Sequence, residues 1–381
     1  MIEYVQSVAS QQVPPPYYFP GVTVNAFIWD AAMTPVQDYC DRYLNLGDAE
    51  KRGFVYRPAS TWPYAALLII DYPIMVSSDR SREDIPKDIN GTPFPDRGFM
   101  SQKEMFVVFP LLRSGSRLET ALLNLTVEWA LPFIVVENPM SAICGREMLG
   151  IPKLLGNIEI GEGKYPDSFS ARVDLPGWAS LEEGEMQSEH LTFLEVDTAP
   201  ALPTFRGSPD EKSIWTLLRS DTAGKTIGAL GTVNDFLENV SLGLYSNALR
   251  TVSLRQFRDA TDPSKAVYQA LVSCRSTYSS ISNFRFYNEH DVKIKFHDRG
   301  SFSKILDVFL GARSIHKSGT VRAPDVMAAF RFNANIDFDD TRTLHTFAVE
   351  QGEGLPPTQE TDDMLAPWLR PIRGFFSARR P

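Results

Sequence analysis

The chain has 381 residues, 43% of them hydrophobic and 22% charged, a composition that suits a folded globular protein and excludes a disordered one. With about 150 residues per domain as a prior, two domains or one elaborated β-domain fit this length. The net charge is −9 and no long Lys/Arg run occurs, so a nucleic-acid partner is not expected. Proline (27) exceeds glycine (24) and phenylalanine is abundant (24), which favours strands, turns and irregular connections over a helical bundle.

Residues 1–17 read as a polar, then proline-rich arm without the basic n-region of a secretory signal. Thr34-Pro35 predicts a helix running to Leu44, with threonine as N-cap and proline at the first helical position. An apolar run from Tyr64 to Val76 follows, interrupted by Asp71 and Pro73, and residues 77–97 read as a polar surface loop. Met105 to Leu112 predicts a buried strand, and Ser116 with Glu119 resembles a capping box for a helix ending before Pro132. The longest apolar stretch, Leu118 to Val136, contains Glu119, Asn124, Glu128 and Pro132 and does not read as a membrane span, so no membrane partner is expected.

Further along, helix starts are predicted at Ser208-Pro209, at Asp262-Pro263 (running to Cys274) and at Ser301 or Ser303, the last stopped by Gly311. Strand alternation is clear in Phe169, Ala171, Val173 and Leu175, and again in Val292, Ile294 and Phe296. It is clearest in Phe330, Phe332, Ala334, Ile336 and Phe338, with Arg331, Asn333, Asn335 and Asp337 opposite. A period of two marks sheets with one buried face. The sum is an α+β protein, an antiparallel sheet or barrel core with peripheral helices.

Several motifs fail. Gly224-Lys225-Thr226 resembles the end of a phosphate loop, but Arg219 stands where its first glycine belongs. The five histidines have no metal-ligand spacing, so no metal is expected. Cys40, Cys144 and Cys274 lie far apart with no CxxC, which suits a reducing, cytoplasmic setting rather than a disulfide scaffold.

Chemistry concentrates in residues 133–160, FIVVENPMSAICGREMLGIPKLLGNIEI. An apolar strand leads into Glu137-Asn138-Pro139, a turn signal, and then to Gly145-Arg146-Glu147 and Gly150-Ile151-Pro152-Lys153. Lys153 stands among Ile151, Pro152, Leu154 and Leu155. Desolvation disfavours an ammonium and leaves a neutral amine, which can attack a carbonyl and form a Schiff base. From spacing alone, a lysine whose stem lies on apolar surface and whose head stays in water fits this sequence as well.

The pattern GRE-x-x-G-x-PK, preceded by a strand and a proline-containing turn, resembles the signature of the acetoacetate decarboxylase family, a family that also supplies a standard example of an activated lysine nucleophile. The resemblance implies that Lys153 forms the Schiff base. Gln102-Lys103-Glu104, followed by an apolar run into Pro110, resembles the family strand that carries an active-site glutamate, which implies that role for Glu104. Asp71, at the end of an apolar strand, corresponds more weakly to an acidic position of the family pocket. Arg146 either grips a substrate carboxylate or pairs with Glu147 to fix the turn before Lys153. Leu154 stands where the acetone-forming members carry a second lysine, and no arginine near Tyr17 to Trp29 matches the one those enzymes place in the pocket.

The resemblance covers about residues 99–160 and implies one acetoacetate decarboxylase-like β-barrel domain over 18–345, with insertions near 77–97 and 176–260 and a C-terminal tail over 346–381. It implies a lyase that decarboxylates a β-keto acid through a lysine iminium, needs no cofactor and forms a homo-oligomer. Aldolase- or dehydratase-type chemistry on a keto acid, and a barrel that only binds a small molecule, are the competing expectations.

Overall fold

The computed structural model describes residues 15–59, 64–77, 100–117, 126–164, 167–177, 189–200, 248–298, 306–307, 310 and 315–347. The expected insertions and tail, and the helix expected at Ser208-Pro209, lie largely or wholly outside these residues.

The chain enters through β1 (Tyr17–Asp30) and passes through α1 (Met33–Tyr39), whose end widens into a π-turn at Cys40–Leu44. The short α2 (Ala49–Arg52) leads to β2 (Phe54–Pro58), β3 (Tyr64–Ser77), β4 (Met100–Gly115) and β5 (Thr126–Val136). Helix α3 (Pro139–Leu149) connects β5 to β6 (Lys153–Leu155) and β7 (Asn157–Gly161). Strands β8 (Ser170–Gly177), β9 (Glu189–Asp197), β10 (Ala248–Arg258), β11 (Ala266–Tyr287), β12 (Lys293–His297), β13 (Ile315–Ser318), β14 (Val321–Pro324) and β15 (Val326–Thr346) complete the order. No helix among the described residues is long and apolar enough to cross a membrane.

Nine strands form one sheet in the order β2-β4-β3-β1-β15-β11-β10-β5-β6, and β4 also pairs with β5. The pairings β4–β3–β1–β15–β11–β10–β5–β4 therefore return to their starting strand. The sheet is mixed rather than antiparallel throughout, because β10–β5 and β5–β6 run parallel. A second sheet, β13-β14-β12-β9-β8-β7, is antiparallel.

Strand alternation divides the apolar residues between two layers. Val24, Ile70, Phe106, Ile134, Phe330 and Phe332 share the core inside the large sheet. Their strand neighbours Phe27, Ile69, Met105, Val107, Phe133 and Val135 face the second sheet and pack on Val173, Phe193, Leu194 and Phe296. Strands β3, β4 and β5 are thus covered on both faces, which is why they read as unbroken apolar runs. Much of β15 is covered on one face only and reads as alternation. A third cluster seats Val36, Tyr39 and Leu44 on Phe109, Leu111 and Leu271.

Two sequence-derived helices are strands. Residues 126–131, inside the segment expected to follow the Ser116–Glu119 capping box, belong to β5 and pair with β4. The Asp262-Pro263 segment is a turn between β10 and β11: Asp262 Oδ1 accepts from the Ser264 N–H at 3.1 Å and Asp259 Oδ1 from the Thr261 N–H at 2.6 Å. An aspartate that caps a helix and one that closes a turn use the same oxygen, and here the long antiparallel pairing of β10 with β11 decides. In the first helix, Ala32 rather than Thr34 is the N-cap. Of the helix expected after Ser301, Leu306 and Asp307 are helical, and the Leu310 N–H donates to the Leu306 carbonyl at 2.9 Å.

Candidate active site

The site is built where β4, α3 and β6 meet. Helix α3 starts sharply because Asn138 is its N-cap, accepting from the Met140 N–H at 3.0 Å, and Pro139 fills the first helical turn. This helix is absent from the sequence reading, although Asn-Pro after a strand is its signal. It ends at Gly150, whose backbone is left-handed with φ +67° and which faces the Arg255 backbone too closely for a side chain. The chain then turns through Ile151-Pro152 and enters β6, where Lys153 pairs in parallel register with Ile134 of β5.

That path delivers Lys153 into the interior. Gly145 of α3 makes room for it: a Cβ at Gly145 would stand 2.5 Å from Lys153 Cε and 2.6 Å from Cδ. The glycine of the GRE triplet is therefore the surface on which the lysine stem lies. Lys153 Nζ donates to Glu104 Oε1 at 2.7 Å and to Ser141 Oγ at 2.7 Å. The side chains of Lys153 and Glu104 are 9% and 7% exposed. Taking both charges out of water is costly, and replacing such a pair by apolar residues is often neutral or stabilising.

Glu104 comes from β4, on the face opposite its neighbour Lys103, which reaches Glu137 at 3.4 Å and the Ile158 carbonyl at 3.2 Å. Gln102, two residues before Glu104 and so on the same face, donates Nε2 to Glu104 Oε1 at 3.0 Å, while its buried Oε1 has no partner. Tyr72 of β3, paired across the strand with Gln102, gives its hydroxyl to Glu104. Burial first, and the Glu104 carboxylate second, push the Tyr72 phenol well above its ordinary value. The same two causes push Tyr278 of β11 up to about 12, and burial raises Tyr17 of β1. The three phenols stay protonated at neutral pH, and that of Tyr72 is spent on Glu104.

These side chains enclose a cavity of about 90 Å³, also lined by Phe19, Phe106, Leu131, Cys144, Ile336 and Phe338. Lys153 and Glu104 are the one cation and the one anion among its described lining residues. The structure thus brings Lys153 and Glu104 together across 49 residues of sequence. It does not bring Asp71 or Arg146 to the cavity. Asp71 lies between Ile70 and Tyr72, whose side chains face the interior, so alternation turns it outward. Exposed Arg146 donates Nη1 to the Lys153 carbonyl at 3.4 Å, so it braces the turn rather than facing the cavity. Ser141, Tyr72 and Tyr278 are missing from the sequence-derived set. Gln102 had a signal in its two-residue spacing from Glu104, whereas Ser141, Tyr72 and Tyr278 had none. No group of His, Cys, Asp and Glu side chains suited to a metal occurs among the described residues.

The α+β fold, dominated by a large mixed sheet, is similar to that of acetoacetate decarboxylase. No family model matches the chain, and no curated protein matches its sequence. Among solved structures, the chain is similar to acetoacetate decarboxylase from Legionella pneumophila, at 9% identity over 90% of this chain and 92% of that one, with a TM-score of 0.51. It also matches the enduracididine biosynthesis enzyme MppR, complexed with the condensation product of pyruvate and imidazole 4-carboxaldehyde, at 12% identity, 88% and 92% coverage and a TM-score of 0.49. A third match is an acetoacetate decarboxylase-like enzyme from Sphingomonas wittichii RW1, at 10% identity, 91% and 99% coverage and a TM-score of 0.47. At these identities the likeness is one of fold.

Proposed function

We propose that the chain is a Schiff-base-forming lyase that decarboxylates a β-keto acid at Lys153. The observation that carries this reading is the Lys153 amine held 2.7 Å from the Glu104 carboxylate inside a cavity whose other described lining side chains are uncharged. A primary amine in such a place is a nucleophile for a carbonyl, and a carboxylate at that distance takes the proton the ammonium must lose before it attacks.

The steps follow from the groups present. The Lys153 nitrogen adds to the ketone carbon, and the resulting carbinolamine loses water to give an iminium. The bond between the α-carbon and the carboxylate then breaks, carbon dioxide leaves, and its electron pair moves into the iminium to form an enamine. Protonation of the enamine carbon, with Glu104 as the proton carrier, regenerates an iminium. Water hydrolyses it, releasing the ketone and the free amine. Ser141, hydrogen-bonded to Nζ, holds the amine toward the cavity and offers a hydroxyl to the carbinolamine oxygen as it departs. The iminium itself is the electron sink, so the reaction is complete with the protein's own groups and water.

The test is intact-mass analysis after borohydride reduction in the presence of a keto-acid panel, on the wild-type protein and Lys153→Ala. The expected result is a reduced adduct in the wild type alone, at the mass of the decarboxylated ketone. An adduct that retains the carboxylate would replace decarboxylation by aldol-type chemistry at the same lysine. An adduct that persists in Lys153→Ala would remove the assignment.

A further inference from the structure

Gln102 is 2% exposed, and it lines the cavity beside the reacting pair. Glu104 fixes which way its amide points. Gln102 Nε2 donates to Glu104 Oε1 at 3.0 Å, and the reverse orientation would set two acceptors against each other at that distance. Gln102 Oε1 is therefore turned away from the carboxylate, buried and without a hydrogen-bond partner among the described residues. A buried acceptor left unpaired is costly, so this oxygen favours a state of the site in which a donor reaches it.

The chemistry at Lys153 supplies that donor at one step. Lys153 Nζ donates to both Glu104 Oε1 and Ser141 Oγ, but a protonated iminium keeps a single N–H. One of the two acceptors is released when the Schiff base forms. With Glu104 released, its carboxylate and the Gln102 amide oxygen stand side by side on a cavity of about 90 Å³, which has room for a water beside a small bound ketone. Two acceptors take both hydrogens of a water and turn its lone pair toward a third atom.

Resting on the Schiff-base reading above, we infer that Gln102 holds the water that hydrolyses the Lys153 iminium. The water donates one hydrogen to Gln102 Oε1 and the other to Glu104. Its oxygen bonds to the iminium carbon while the carbon–nitrogen π pair moves to nitrogen. The proton on the Glu104 side passes to that carboxylate, leaving a neutral carbinolamine. In reverse, the same two groups receive the hydroxyl when the iminium forms. Protonation of the enamine carbon uses Glu104 without Gln102, so Gln102 acts on the water step and not on the carbon step.

The experiment separates those two steps within one reaction. Acetone and 2-pentanone are incubated with the protein in buffer enriched in both deuterium and oxygen-18, and high-resolution mass spectrometry reads both labels in the ketone. Oxygen exchange reports water adding to the iminium, and deuterium on the carbons beside the carbonyl reports the enamine. Their ratio does not depend on how much of the protein is folded. The proteins are wild type, Gln102→Met, Tyr72→Phe and, as background, Lys153→Ala. Gln102→Met keeps the length and removes the amide, whereas Tyr72→Phe removes a donor from Glu104 and leaves Gln102 in place. Gln102→Met is expected to slow oxygen exchange about tenfold, the scale of one lost hydrogen bond, and to raise the deuterium incorporated per oxygen exchanged several-fold. Tyr72→Phe is expected to leave that ratio at the wild-type value or below it. A ratio unchanged or lowered in Gln102→Met, or raised equally in Tyr72→Phe, would overturn this inference while leaving the Schiff-base reading standing. Exchange of neither label above background in the wild type would overturn both.

Discussion

Two glutamates on neighbouring strands are buried against a cation and a tyrosine, and they end in different environments. Glu104 of β4 takes Lys153 Nζ at 2.7 Å and the Tyr72 hydroxyl, beside a cavity. Glu128 of β5 takes Arg113 Nε at 3.1 Å and the Tyr56 hydroxyl, at the layer where α1 and its π-turn close over the large sheet, and its side chain is 0% exposed. The lesson is that a buried carboxylate–cation pair does not make a site. Arginine stays protonated and its planar fork is suited to holding a carboxylate, whereas a lysine amine can lose its proton and attack. Space for a substrate beside the amine makes the second difference.

The sharpest test of the contrast is Lys153→Ala, which removes the proposed nucleophile. Turnover and adduct formation are expected to fall by roughly 10⁴- to 10⁶-fold, the range seen when a nucleophile is deleted. Glu104→Gln comes next: it keeps the shape and removes the proposed proton carrier, and a loss of about 10²- to 10⁴-fold in turnover, read by steady-state kinetics, is expected.

Arg113→Ala is the counterpart at the closed pair. It strands the Glu128 carboxylate, and a stability loss of about 3 kcal/mol in urea unfolding is expected, with adduct formation at Lys153 unchanged in the folded protein. If Arg113→Ala abolished trapping as Lys153→Ala does, the contrast between the two glutamates would collapse. Gly145→Ala probes the surface under the lysine. Its methyl meets Lys153 Cε and Cδ, so overpacking of about 1–3 kcal/mol and slower trapping are expected together.

The smallest effect concerns pH. Burial is the leading cause that holds the Glu128 carboxyl above its ordinary value, against the opposing pull of Arg113 and Tyr56. An acid whose folded-state value exceeds its unfolded one binds its proton more tightly in the native state, so stability falls as pH rises through the interval between the two values. Glu128→Gln is therefore expected to flatten the fall of the urea midpoint over that interval, just above the ordinary glutamate value of 4.5.

Legibility in the sequence differs from element to element for a physical reason. The alternation through Phe330–Ile336 showed β15 and its buried face, since its outer side is less covered and carries Arg331, Asn333 and Asn335. The segment after Ser116 contains part of β5 and Asp262-Pro263 forms a turn, where capping residues predict helices. Capping residues describe only the next few backbone N–H groups, and a turn satisfies them as well as a helix does. Pairing with strands far away in sequence settled both, β4 for the first and β10 for the second.

The same division holds for the site. The sequence by itself determined the α+β class and the strand over Met105–Leu112, because strand periods act over a handful of neighbours, and its resemblance to the acetoacetate decarboxylase family singled out Lys153 and Glu104. Only the tertiary structure decided that Lys153 and Glu104 meet, that Asp71 and Arg146 turn away, and that Ser141, Gln102, Tyr72 and Tyr278 complete the surroundings. Those side chains come from five elements of the fold. Their proximity is a property of the strand ring, whose pairings join residues across more than 300 positions, and no local pattern encodes it.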